Sequence, residues 1–308
     1  MIAEFALIPD VFAQASYNSP EACDRYLREL KEGILSRGVV RNLRAGNWWN
    51  HVEKCRDSWD KRGRELLKKL KQQGRLCDAE SCTDEPPMDS AGWCAEALAS
   101  HEHTPLSGII ADESTAAEHP GHDVVAPASK LTEQTWWLGG KNSVELKRST
   151  EAYLKELGPT LRHSNAIMFI DPHLDPTRDN YIGFVELLKA CGTRTLAHRI
   201  EIHRVCYSGS GRERQIVPVT EWRQRFDSVI GGAVRQMGLH VEVFLWDDFH
   251  DRYLLSNLIG ILIPNGFDTE SNPSITRWAR LDREHRDSVE KEFDPAFERH
   301  RLLHRFML

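Results

Sequence analysis

The chain has 308 residues, 40% hydrophobic and 28% charged, with 20 Gly, 14 Pro and a formal net charge of −6. That composition excludes a disordered or fibrous chain, and no apolar run approaches the ~20 residues of a bilayer span, so no membrane insertion is expected. Seven irregularly spaced cysteines, and a start without basic residues ahead of a long apolar run, read as a cytoplasmic protein rather than a disulfide-stapled secreted one.

At about 150 residues per domain the length suggests two domains. The first 75 residues read as helical. Ser19 serves as an N-cap with Pro20 at the first helical position, and Tyr26, Leu27, Leu30, Ile34 and Leu35 recur at helical spacing before Gly38. A second helix is predicted over 48–73, with Leu66, Leu67 and Leu70 apolar and Gly74 as its breaker. From 77 to 140, turn-forming clusters separate one helix (91–100) from one short strand (106–111). Residues 1–140 are therefore expected to form a mainly helical, charge-asymmetric N-terminal region.

Residues 141–308 carry a sharper pattern. An amphipathic helix is predicted at 144–157, a buried strand at 166–170, a helix at 181–190 and a strand at 199–206. A long helix at 219–237 ends at Gly238, and strands follow at 240–246, 252–255, 259–263 and 276–281, then a helix at 283–293. Alternating strands and helices with a closing hairpin predict an α/β fold: a mixed sheet with flanking helices, preceded by a mainly helical N-terminal cap.

Charge is uneven. Residues 37–75 hold twelve Lys/Arg against four Asp/Glu, and residues 78–133 hold twelve Asp/Glu against one Lys. This is either a basic face for phosphate-bearing ligands or two segments that fold against each other. In the basic segment Trp48, Trp49 and Trp59 interleave with Lys54, Arg56, Arg62, Lys68 and Lys69, the residue types that hold a nucleic-acid backbone and its bases. The alternative is that the tryptophans face the core beneath a solvated row. The basic tail at 299–305 divides the same way. Cys77, Cys82 and Cys94 near His101, His103, His119 and His122 are zinc-type residues without the paired Cys-x2-Cys spacing, so no metal and no cofactor is expected. No glycine loop cradles phosphate: Gly231-Gly232 falls inside a helical pattern, and Gly209-Ser210-Gly211 does not open a helix.

The most informative run is Phe249 to Asn257, continuing to Pro264-Asn265-Gly266-Phe267. His250 and Arg252 stand two apart, so on an extended chain they point the same way. A fixed cation beside an imidazole suits a phosphate, the cation holding the anion while the ring attacks or shuttles a proton. Asn257 sits where it could orient either, and the bland alternative pairs Arg252 with a neighbouring Asp. Asp171, His173 and Asp175 alternate just beyond a strand end, where ligands of α/β sheets sit, or Asp171 simply caps a turn. Glu201 and His203 share one strand face, lining a site or merely hydrogen-bonded within the sheet.

The run FHDRYLLSNLIG followed by PNGFD resembles the signature region of phospholipase D-like domains, in particular the divergent branch related to the MIT C-terminal domain. Phe169-Ile170-Asp171-Pro172-His173-Leu174 resembles the opening strand and loop of that branch, and the resemblance spans about residues 150–295. It implies a site in which His250 takes the nucleophile position, Arg252 stands for the family's Lys and Asn257 for its Asp, with Arg204 as a second phosphate holder. It also implies a second histidine, either His203 or the His250 of a second copy in a homodimer. The implied protein is a metal-independent phosphodiesterase or nuclease acting on nucleic acid, of the kind found in bacterial defence systems. The other implied protein is a catalytically degenerate binding or adaptor module engaging a protein partner or a phosphate backbone.

Overall fold

The computed structural model describes residues 1–138, 142–192, 199–209 and 211–308. The chain forms two compact units, Ile2–Lys141 and Asn142–Leu308, the second including Met1. The break expected between residues 140 and 141 lies outside the described residues, as does Ser210.

The N-terminal unit is not a helical cap. It begins with a strand, and strands β1 (Ala3–Leu7), β2 (Gly38–Asn42), β3 (Leu76–Asp78), β4 (Gly108–Ala111) and β5 (Val125–Pro127) form one parallel sheet in the order β3-β2-β1-β4-β5. Helices connect them: α1 (Pro20–Arg37), α2 (Asn47–Lys54), α3 (Lys61–Gln72), α4 (Ser90–His103), α5 (Glu113–Ala117) and α6 (Thr135–Leu138). The strand expected at 106–111 is β4; the other four escaped the periodicity because they are short and, as in β2, buried along the whole length, which leaves no polar–apolar alternation. α1 starts as expected, with the Ser19 hydroxyl accepting from the Ala22 N–H and Pro20 at the first position.

The helix expected over 48–73 is two helices. Between them Trp59 turns inward and donates its indole N–H to the Val52 carbonyl at 2.7 Å, and Asp60 caps α3 by accepting from the Arg62 N–H. Trp48 and Trp59 are buried among Phe12, Leu66 and Leu70. The basic and acidic segments meet: Arg44 pairs with the fully buried Glu96 at 3.0 Å, and Asn42 donates to Asp78 at 2.7 Å.

The C-terminal unit is built on an eight-stranded mixed sheet. Its strands are β6 (Ser143–Lys147), β7 (Ala166–Ile170), β8 (Arg199–Val205), β11 (His240–Trp246), β12 (Tyr253–Ser256), β13 (Gly260–Leu262), β14 (Ile275–Arg280) and β15 (Leu302–Met307). A separate two-residue ladder joins β9 (Tyr207–Ser208) and β10 (Gln215–Ile216). The order of the large sheet is β15-β11-β8-β7-β12-β13-β14-β6; β7, β8 and β11 run parallel and the remaining pairs are antiparallel.

Its helices are α7 (Thr150–His163), α8 (Phe184–Lys189), α9 (Val219–Phe226), α10 (Gly232–Met237) and α11 (Arg283–Glu292). One wide turn at Asp227–Gly231 joins α9 to α10, so the predicted long helix contains a bulge before it ends at Gly238 with φ +63°.

One further expectation is corrected. Residues 144–157 are not one helix: 143–147 pair with β14, and the Ser149 hydroxyl caps α7. Part of the basic tail lies in an edge strand, because residues 302–307 pair with β11. The rest is an α/β unit with a mixed sheet and flanking helices, as the pattern predicts. Among the described residues no helix is long and apolar enough to cross a membrane.

Candidate functional site

The parallel strands β7, β8 and β11 end together. Ile170, His203 and Phe244 are register neighbours, and Tyr253 opens β12 beside Ile170. The segments leaving these ends therefore converge on one rim, the usual ligand position of an α/β sheet.

Asp171, the first residue past β7, is fully buried and organises the rim. One carboxylate oxygen accepts the His173 N–H at 3.0 Å and lies 3.7 Å from Arg252 Nε. The other accepts the Tyr181 hydroxyl and the Phe267 N–H, each at 3.0 Å. Burial pushes the Asp171 carboxyl up, and the donors from Phe267, His173, Arg252 and Tyr181 pull it back toward the ionised form. The turn that delivers Phe267 needs a glycine. Gly266 has φ +71°, and a Cβ there would lie 2.1 Å from the Asp171 carboxylate.

His173 follows, half-buried. Burial lowers its pKa first, and the guanidiniums of Arg252, Arg204, Arg178 and Arg214 lower it further, so the ring is neutral at pH 7. Those cations sit on three segments. Arg178 donates to the Ser208 hydroxyl at 2.9 Å, and Arg214 lies 4.4 Å from the Tyr207 ring centroid. Arg204 is spent differently. Its buried guanidinium lies 3.3 Å from the Trp222 ring centroid and donates to the carbonyls of Val205, Leu174 and Tyr207 at 2.7, 2.7 and 2.8 Å. Burial pushes its pKa down to about 9, which leaves it charged at neutral pH. Arg204 thus ties the loop after β7 to the loop after β8 and lends the rim its field rather than a free hand for phosphate. Asp175, alternating with Asp171 and His173, accepts from Arg225 at 2.7 Å and from Thr177.

The loop after β11 supplies the other wall. Asp248 accepts the Tyr207 hydroxyl at 2.6 Å and Arg214 Nη1 at 3.2 Å, and those donors hold its carboxyl below the usual range. His250 Nε2 lies 3.9 Å from Asp248, with its side chain 75% exposed. Arg252 reaches back to the carbonyls of His250 and Pro264, each at 3.3 Å. His250, Arg252, Asp171 and His173 are therefore brought to one rim.

Three expected site residues are elsewhere. His203 is fully buried inside the sheet, stacked on Phe244 at 4.6 Å and bonded to Glu201 and to the Trp246 indole at 3.0 and 3.1 Å. Glu201 pairs with His203 and Arg199 in mid-strand. Asn257 is at the opposite end of β12, its side-chain oxygen accepting from the Asn165 and Ala166 N–H groups. At ~3.3 Å per residue the five positions from Arg252 remove it by about 16 Å.

Tyr181, Tyr207, Asp248, Arg178 and Arg214 were not singled out in the sequence as site residues. Only the Asn265-Gly266 turn signal pointed toward their neighbourhood.

In the N-terminal unit Trp48 and Trp59 are core residues with their indole N–H groups on the Leu7 and Val52 carbonyls, so neither is free to stack a base. Lys54, Arg56 and Lys68 are exposed, Lys69 is half-buried, and Arg62 is engaged with Asp24 and Glu65. Among the described residues Cys77, Cys82 and Cys94 do not converge with His101, His103, His119 and His122 on a common ligand position.

No protein-family model matches the chain, and no curated protein matches it by sequence. Among solved structures it is similar to Nuc from Salmonella typhimurium, a phospholipase D family member, at 10% identity and TM-score 0.34, over 52% of this chain and 97% of that one. It is also similar to TrmBL2, an archaeal chromatin protein, at 12% identity and TM-score 0.31, over 90% of this chain and 94% of that one.

Proposed function

We propose that the C-terminal unit is a phospholipase D-like, phosphodiester-directed site and that the protein is a metal-independent nuclease acting on nucleic acid. The observation that carries this reading is the rim itself: Arg252, fixed through Asp171, together with Arg178 and Arg214, presents cationic donors beside His173 and His250. Guanidiniums neutralise a phosphodiester, and an imidazole supplies the nucleophile or the proton. No step needs a metal, because the arginines carry the charge stabilisation. The charge at this rim also fits a nucleic-acid backbone.

Cleavage of single- and double-stranded DNA and RNA tests the reading. Wild type should cleave at least one of them in the presence of EDTA, and Arg252→Ala should lose cleavage and weaken binding together. A folded wild type that cleaves none of them contradicts it. A second reading, a binding module that holds a phosphate backbone without cutting, is favoured by one observation: the family's Asp position is occupied by Asn257, which caps the start of β7.

A further inference from the structure

In an open parallel sheet the crevice for a ligand lies beyond the carboxyl ends of the strands, where the strand order reverses. In the N-terminal unit that point falls between β1 and β4, with β2 and β3 on one side of it and β5 on the other. The two strand ends are tied together by the Ile8 N–H, which donates to the Ile110 carbonyl at 2.9 Å. A cavity of about 750 Å³ opens there, walled by the segments leaving β1 and β4, by α2 with the turn after it, and by the start of α4.

The wall is acidic. Asp10, Asp89, Asp112 and Glu113 line it, and no Lys or Arg does. Asp89 caps α4 through the Gly92 N–H, and Asp112 accepts from Ser114 and Thr115, so these two lend charge rather than a free oxygen. Asp10 is exposed, and among the described residues its carboxylate has no hydrogen-bond or ion-pair partner. Burial lowers the pKa of His51, which also lines the cavity, so its ring adds no positive charge at pH 7. Such a field repels an anion and attracts a cation. Among the described residues these carboxylates do not converge on a common ligand position, which a bare divalent ion needs.

Two polar groups in the same wall are buried without a hydrogen-bond partner: the indole N–H of Trp93, a residue only 3% exposed, and the Ser90 hydroxyl. Buried polar groups are nearly always paired, and an indole N–H is a donor only, so its missing partner is an acceptor. The Trp93 ring lies 5.5 Å from the His51 ring, an aromatic wall of the kind on which a delocalised cation rests.

We propose that this crevice binds a small organic cation, with a guanidinium or ammonium group held by Asp10 and an oxygen acceptor held by Trp93 and Ser90. The site lies wholly in the N-terminal unit and does not depend on the phosphodiester reading.

The test is calorimetric titration of the full chain with argininamide, which carries both features, and with citrullinamide, which replaces the guanidinium by an uncharged group. Argininamide should bind saturably and citrullinamide at least about tenfold more weakly. Asp10→Asn, at an exposed position that leaves the fold intact, should weaken argininamide by about tenfold or more. Trp93→Phe keeps the ring, removes the N–H and should weaken binding by about fivefold. In protein labelled with nitrogen-15 at tryptophan, the indole N–H signal that Trp93→Phe removes should move on addition of argininamide. Equal binding by wild type and Asp10→Asn, an unmoved Trp93 signal, no binding of argininamide, or uptake of manganese or inorganic phosphate in its place would overturn the proposal.

Discussion

His173 and His203 are both held neutral by burial and differ in what surrounds the ring. His203 stacks on Phe244 and Trp246 with both nitrogens bonded, whereas His173 lies in the field of guanidiniums at a sheet rim. Both pKa values lie below the value of about 6.5 that an unfolded histidine has. As pH falls through that value the unfolded chain takes up protons that the folded chain refuses, so stability must fall with pH there. The urea midpoint should therefore drop between about pH 7 and pH 5, and His203→Gln should flatten that slope whatever it does to the midpoint at pH 7. An unchanged slope would show that His203 takes up its proton as readily in the fold as in the unfolded chain. Arg204 makes a separate prediction. Arg204→Met strands the carbonyls of Val205, Leu174 and Tyr207, and chemical denaturation should register a loss of about 2–4 kcal/mol. A change under about 1 kcal/mol would mean that water replaces the guanidinium.

At the scale of elements, the turn at 264–267 is the most exposed to a single substitution. Gly266→Ala forces a side chain into left-handed backbone against the Asp171 carboxylate, which should cost about 1–3 kcal/mol in thermal or denaturant melts. Cleavage should fall with it, because Asp171 carries both Arg252 and His173; full activity in a folded Gly266→Ala variant would separate the carboxylate from the site. The sequence made some elements legible and hid others for physical reasons. The run 166–170 and the strand 240–246 are long or apolar enough to stand out, and Gly238 and Ser19 are chemical stops and starts. Apart from β4, which the run at 106–111 announced, the strands of the first sheet are three to five residues long, so helix-like neighbours swamp them. Residues 299–305 read as a basic tail and hid the edge strand at 302–307, which leaves Leu302, Leu303, His304, Arg305 and Met307 only partly covered. The sequence singled out His250 and Arg252 by their spacing, and both lie on the loop after β11. The lowered pKa of His173 depends on burial and on Arg252, Arg204, Arg178 and Arg214, which come from segments that only the strand order brings together.

At the scale of the molecule, two sheets with separate cores make two units. Phe5, Phe12, Trp48 and Leu66 belong to one core, while Ile167, Phe169, Trp222, Trp246 and Trp278 are buried in the other unit. Residues 142–308 expressed alone should unfold cooperatively, as expected of a unit with its own core and a common domain size. A chain without a sigmoidal melt would show that the sheet needs the rest of the protein. The central claim, that the rim of the second sheet acts on phosphodiesters without metal, is tested most directly by nucleic-acid cleavage with wild type and His250→Ala in EDTA. Wild type should cleave as well in EDTA as without it, and His250→Ala should abolish cleavage with binding largely retained. Cleavage that survives His250→Ala, or that EDTA removes, would contradict it.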